Sequence, residues 1–190
     1  TEVNDLNTAR YFPGGTGIIT AAICYGGSTP SATAATETWN GTNWTSVNSL
    51  NTARTAPASA GVQTSALCIG GSPPVTANTE LWNGTNWTEV NNLNTARVGA
   101  GGAGASNTSA IAFGGGVPYP SAPPPTVPSA KTEEWNGTNW TEVADMATAR
   151  AYIAGSGTKT AALASGGSDK TNTEEWTGAG APVVKTISTD

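Results

Sequence analysis

Hydrophobic positions in this chain fall in short runs, each bounded by turn-forming residues. Small apolar runs at residues 20–25 and 65–69 both stop at a Gly-Gly pair. A short run bounded by glycines reads as a strand. Further on, Thr-Glu-x-Trp sets a carboxylate and an indole two residues apart, so both lie on one face of a strand. Asn-Gly follows at 40–41, 83–84 and 136–137, which is the strongest short hairpin signal. Trp-Thr-x-Val, as at 87–90, then reads as the hairpin's second strand. One more strand is predicted directly after each Asn-Thr-Ala-Arg or Ala-Thr-Ala-Arg, as at 11–17. Leu-Asn-Thr-Ala-Arg is the nearest approach to a helix and is too short to stand alone.

This pattern recurs four times. Arg10, Arg54, Arg97 and Arg150 are spaced by 44, 43 and 53 residues. Gly-Gly follows at 26–27, 70–71, 114–115 and 166–167, and the third-strand tryptophans are Trp39, Trp82, Trp135 and Trp176. Four strands in roughly 44 residues is the size of one propeller blade. The units run over 11–54, 55–97, 98–150 and 151–190 in a single domain, with 1–10 as a spare fourth-strand segment.

The order of arginine, small apolar strand, Gly-Gly, variable loop, Glu-x-aromatic and Trp resembles the kelch repeat over essentially the whole chain. That resemblance implies an all-β, kelch-like β-propeller of four four-stranded antiparallel blades. Trp39 and its equivalents stand where kelch repeats usually carry tyrosine. The Asn- and Thr-rich style also resembles repeats in structural and fibre-like phage proteins, especially marine ones. Blade counting leaves a remainder. Val3, Val47, Val90 and Val143 align, as do Leu6, Leu50, Leu93 and Met146, and Val184 and Ile187 repeat the offsets from Trp176. Five fourth strands therefore accompany four sets of the other three. Closure is expected to involve a neighbouring chain or a preceding segment, and terminal strands could join copies into a homo-oligomer. The start at Thr1, without methionine or signal sequence, reads as a processed product or an excised domain.

Composition narrows the chemistry. Charged residues make up 11% and the net charge is −5, so the basic footprint that nucleic acid requires is missing. No run of eighteen apolar residues exists to form a membrane-spanning helix. Histidine is absent, which removes Ser-His-Asp and Cys-His catalysis and the commonest ligand of transition metals. Some kelch propellers carry copper oxidase chemistry through histidines, so that activity is not implied. No calcium loop, phosphate loop or catalytic set emerges, and neither cofactor nor metal is expected.

Residues that repeat in every unit are expected to serve the scaffold. Glu37, Glu80, Glu133 and Glu174 each need a cationic or hydrogen-bonding partner beside a buried indole, and Arg10, Arg54, Arg97 and Arg150 are the candidates. The competing reading is an arginine ring that binds an anion near the axis. The third-strand tryptophans read as core. Trp44, Trp87 and Trp140 could be core or contact residues, since Ala181 stands at their position in the last unit. Cys24 and Cys68 read as small buried residues, too far apart for a disulfide. Six of the seven sequons, at Asn40, Asn43, Asn83, Asn86, Asn136 and Asn139 but not Asn107, fall in the hairpin turns.

Binding is expected where the units diverge. A proline-rich insertion around Tyr119 lies between Gly-Gly and Thr-Glu-x-Trp of the third unit, and proline stiffening lowers the entropy lost on binding. Tyr11, Phe12 and Tyr152 follow the repeat arginines and vary between units. The expected function is a non-enzymatic binding and structural module, outside a cell or on a virion surface. Its expected partner is a host-surface glycan or protein, with other virion proteins as neighbours. The alternatives are a purely architectural or decoration role and a carboxylate-based glycoside hydrolase. The hydrolase needs two carboxylates across a cleft at about 5–9.5 Å, and the repeated glutamates read as structural.

Overall fold

The computed structural model describes residues 2–118, 126–178 and 183–184. These form an all-β molecule of four four-stranded antiparallel sheets, arranged as the blades of a four-bladed propeller. Blade 1 contains β1 (Gly14–Ile18), β2 (Ala21–Tyr25), β3 (Thr36–Trp39) and β4 (Trp44–Val47). Blade 2 contains β5 (Ala58–Val62), β6 (Ser65–Ile69), β7 (Thr79–Trp82) and β8 (Trp87–Val90). Blade 3 contains β9 (Gly101–Ser106) and β10 (Ser109–Phe113), then a two-stranded ribbon of β11 (Gly116–Pro118) and β12 (Thr126–Pro128), then β13 (Thr132–Trp135) and β14 (Trp140–Val143). Blade 4 contains β15 (Ala154–Thr158), β16 (Ala161–Ser165), β17 (Thr173–Trp176) and the short β18 (Val183–Val184), which pairs with β17.

The first strands of successive blades pack side by side, β1 on β5, β5 on β9 and β9 on β15. Glycine makes this approach possible. A Cβ on Gly102 would lie 2.5 Å from the Ser59 carbonyl oxygen, and one on Gly155 would lie 2.4 Å from the Gly102 carbonyl oxygen.

Each blade has two unlike faces. One, the indole face, carries small residues, the glutamate and the tryptophans. The other, the aliphatic face, carries the larger residues of the second strand and the first threonine of the third. The indole faces of blades 2, 3 and 4 each pack on the aliphatic face of the blade before. Ile23 and Tyr25 of blade 1 meet Ala66, Cys68, Trp82 and Trp87 of blade 2. Leu67 and Ile69 meet Ala110, Ala112, Trp135 and Trp140, and Ile111 and Phe113 meet Ala162, Ala164 and Trp176. Leu50, Leu93 and Met146 complete these three clusters from the connecting segments. Among the described residues no such cluster joins blade 4 back to blade 1.

Three local features differ from the sequence pattern. The first strand starts at Gly14 rather than Tyr11, because Phe12 turns the chain with φ 48°. The segment before it forms no strand over residues 2–10, and Val3 is 66% exposed. A fourth strand needs a third strand to pair with, and among the described residues none pairs with this segment. Thr1, Ala181 and Ile187 lie outside the described residues. The Asn-Gly hairpin is a four-residue loop over 40–43, closed by the Trp39–Trp44 pair. The Asn40 side-chain oxygen accepts from the backbone N–H of Thr42 and of Asn43, both at 2.9 Å.

Candidate functional site

The repeat arginines are consumed within the scaffold. Arg10, Arg54 and Arg97 each pair through Nη2 with Glu37, Glu80 and Glu133, and Arg150 reaches Glu174 at 2.9 Å. All eight side chains are at least 98% buried. In the first three units the Nε and Nη1 donors go to carbonyls. Arg54 Nη1 donates to Gly70 O at 3.2 Å and Asn78 O at 2.9 Å, and its Nε to Thr52 O at 3.3 Å. Burial pulls the Arg97 guanidinium down from its ordinary value, and the adjoining Glu133 carboxylate opposes that shift.

Arg54, Arg97 and Arg150 each span two blades. The Arg54 N–H donates to Thr33 O at 3.2 Å and its carbonyl accepts from Gly27 N at 2.9 Å, both in blade 1. Its side chain lies in blade 2. The Gly-Gly pair is required at this junction. Gly26 has φ 65°, and a Cβ there would sit 2.6 Å from the Arg54 carbonyl oxygen. Arg97 and Arg150 repeat the arrangement against Gly71 and Gly115. An anion would have to displace a buried carboxylate from this site, which the anion-ring reading did not anticipate.

Sequence reasoning missed the asparagine of Asn-Thr-Ala-Arg. Asn7, Asn51 and Asn94 each give both a backbone and a side-chain N–H to the second oxygen of the glutamate, at 2.7–2.9 Å. Its repetition was the available signal. Ala147 stands in its place in the fourth unit and supplies only its backbone N–H, at 2.7 Å. In that unit Arg150 Nε also has no partner among the described residues.

The third-strand tryptophans are 0–7% exposed and belong to the core. Trp87 and Trp140 are buried too, at 6%, and their indole N–H groups donate to Thr36 and Thr79 of the preceding blade at 3.0 and 3.1 Å. Trp44 is only half-buried. Cys24 and Cys68 are free and buried. Burial pushes the Cys68 thiol up to about 12.

Around the axis, residues 15–17, 59–61, 102–104 and 155–157 of the four inner strands line a cavity of about 310 Å³. Its walls are glycine, alanine, serine and threonine, with no titratable side chain. Among the described residues no group of three or more His, Cys, Asp and Glu side chains could hold a metal ion.

The sequence-predicted contact residues lie near the inner-strand starts. Phe12, Ala56, Gly99 and Tyr152 are equivalent, two residues after each repeat arginine, and all four have φ between 48° and 62°. Their backbones form a hydrogen-bonded series: Ala56 N to Phe12 O at 2.8 Å, Gly99 N to Ala56 O at 2.9 Å, and Tyr152 N to Gly99 O at 2.6 Å. This series brings Phe12 and Tyr152 together, with ring centroids 6.4 Å apart and planes tilted by 48°. Both rings are more than 60% exposed, and so is Tyr11, whose backbone bridges to Ser28. Tyr119 lies outside the described residues, and the flanks of its insertion pair as the β11–β12 ribbon.

No protein-family model and no curated protein matches this chain.

Proposed function

We propose that the chain is a non-enzymatic binding and structural module that works outside a cell, most simply as a phage virion appendage that offers its variable loops to a host-surface glycan or protein. One observation carries this reading. Phe12 and Tyr152 adopt a left-handed backbone that costs a non-glycine residue about 1–3 kcal/mol, yet each holds a large apolar ring in water. Equivalent Ala56 and Gly99 show that the scaffold needs no aromatic side chain there. Adjacent exposed rings without a structural duty suit stacking on the apolar face of a sugar or on a protein side chain. The kelch-like order of the repeat supports the same picture of a rigid scaffold with divergent loops. Repeat glutamates bound to buried arginines, and an axial cavity lined by glycine, alanine, serine and threonine, support a binding role over the hydrolase reading.

The test is a screen of the intact chain against host-surface glycans and proteins. Tyr152→Ala and Phe12→Ala should each weaken the interaction found by at least about tenfold, roughly 1.4 kcal/mol, without loss of thermal stability. Absence of any ligand for the intact chain, or full affinity in both variants, would contradict the receptor-binding reading.

A further inference from the structure

The three internal interfaces define what an indole face is built to meet, and among the described residues no other blade covers that face of blade 1. Ala66, Ala110 and Ala162 are 0–2% exposed beneath the preceding blade, while the equivalent Ala22 is half-buried. Leu50, Leu93 and Met146 are in the core, while the equivalent Leu6 is half-exposed. Trp87 and Trp140 each find a threonine hydroxyl on the preceding blade, and the Trp44 indole N–H meets no acceptor among the described residues. Two adjoining open grooves of about 600 and about 620 Å³ flank Trp44, and Ala22, Cys24, Val3 and Leu6 contribute to their walls.

Blade 4 presents the complementary surface. Leu163 is 45% exposed where Ile23, Leu67 and Ile111 are 0–1% exposed. Thr173 pairs with Ser165 in the sheet and occupies the position of Thr36 and Thr79, the two hydroxyls that receive an indole N–H. Among the described residues, the chain therefore carries one indole face and one aliphatic face that no other blade covers, the second with the acceptor that the first lacks.

We propose that a second copy of this chain docks head to tail, with the aliphatic face of its blade 4 on the indole face of blade 1, so that Thr173 of one copy receives the Trp44 indole N–H of the other. Contact is face to face, continuing the stacking of blades 1 to 4, and does not require exchange of strands. Ser165 stands where Tyr25, Ile69 and Phe113 bury large side chains, so this interface contains less apolar contact than the internal three and is reversible. Contact between unlike faces is heterologous, so it either closes a ring or extends a fibre.

Sedimentation of the intact chain over a range of concentrations, followed by mixing of two variants, tests this. The unmodified chain should associate. Leu163→Asp and Trp44→Lys should each sediment as single chains, because each loses one of the two faces. An equimolar mixture of the two variants should regain pairs, since an intact face of each remains to meet the other. Val3→Asp, altering an exposed side chain in the same groove, replaces Trp44→Lys if circular dichroism shows that the tryptophan variant has not folded. A monomeric unmodified chain, self-association by either variant alone, or a mixture that stays monomeric would overturn the proposal. None of these outcomes bears on ligand binding at Phe12 and Tyr152.

Discussion

At the residue scale, stability rests on charges and thiols held away from water. Glu80 is 0% exposed and its two oxygens accept from Arg54, Asn51 and Thr52. Arg54→Ala leaves that carboxylate buried with no counter-charge, and should cost about 3–5 kcal/mol in urea unfolding. A loss below about 1 kcal/mol would mean that water reaches the site. The pairing was legible because both residues recur at one spacing. The asparagine cap was not, since an asparagine in a loop has many ordinary uses. Cys68 sets an alkaline limit. Burial raises its thiol from 9.0 to about 12, so the fold holds a proton that the unfolded chain releases. That contribution is complete below about pH 9 and is lost as pH rises toward about 12, at up to about 1.4 kcal/mol per pH unit. Tyr25, whose phenol burial pushes well above 10.0, adds to the same limb. Urea midpoints across pH 8–11 should fall less steeply in Cys68→Ala than in the unmodified chain, and parallel slopes would exclude the thiol as a cause.

At the element scale, the inner strands are rich in glycine because backbones meet there. Gly102→Ala would drive a Cβ to 2.5 Å from the Ser59 carbonyl oxygen, which belongs to the neighbouring blade. Such overpacking should destabilise by about 1–3 kcal/mol. Gly15→Ala, at the equivalent place in blade 1, meets only its own sheet, at 3.0 Å, and should cost much less. Thermal melts of the two variants measure the difference, and equal losses would mean that blade 1 is covered like blade 3. Strand positions in the third and fourth strands were legible to the residue, as Thr36–Trp39 and Trp87–Val90 show. The starts of the first strands were not, because the left-handed turn at Phe12 and Tyr152 has no glycine to announce it. Residues 2–10 carry the side-chain pattern of a fourth strand, but pattern alone supplies no pairing partner. Their Asn4 and Asn7 instead dock on blade 1 as Asn48 and Asn51 dock on blade 2.

At the scale of the whole molecule, the four sheets and their order were legible from the period, since each unit is one blade and neighbours in sequence become neighbours in space. Which faces meet was not legible, because alternation assigns residues to two sides of a sheet without saying which side looks at which blade. The structure resolves this with a single rule, indole face on aliphatic face, applied three times. Its most specific signature is the pair of hydrogen bonds from Trp87 to Thr36 and from Trp140 to Thr79, which link residues in adjacent blades. A nuclear Overhauser spectrum with the seven indole N–H resonances assigned tests that rule most directly. The account predicts cross-peaks from the Trp87 indole proton to Thr36 and from the Trp140 indole proton to Thr79, both protected from solvent exchange. Indole protons at 87 and 140 that exchange freely and see only their own hairpins would contradict it.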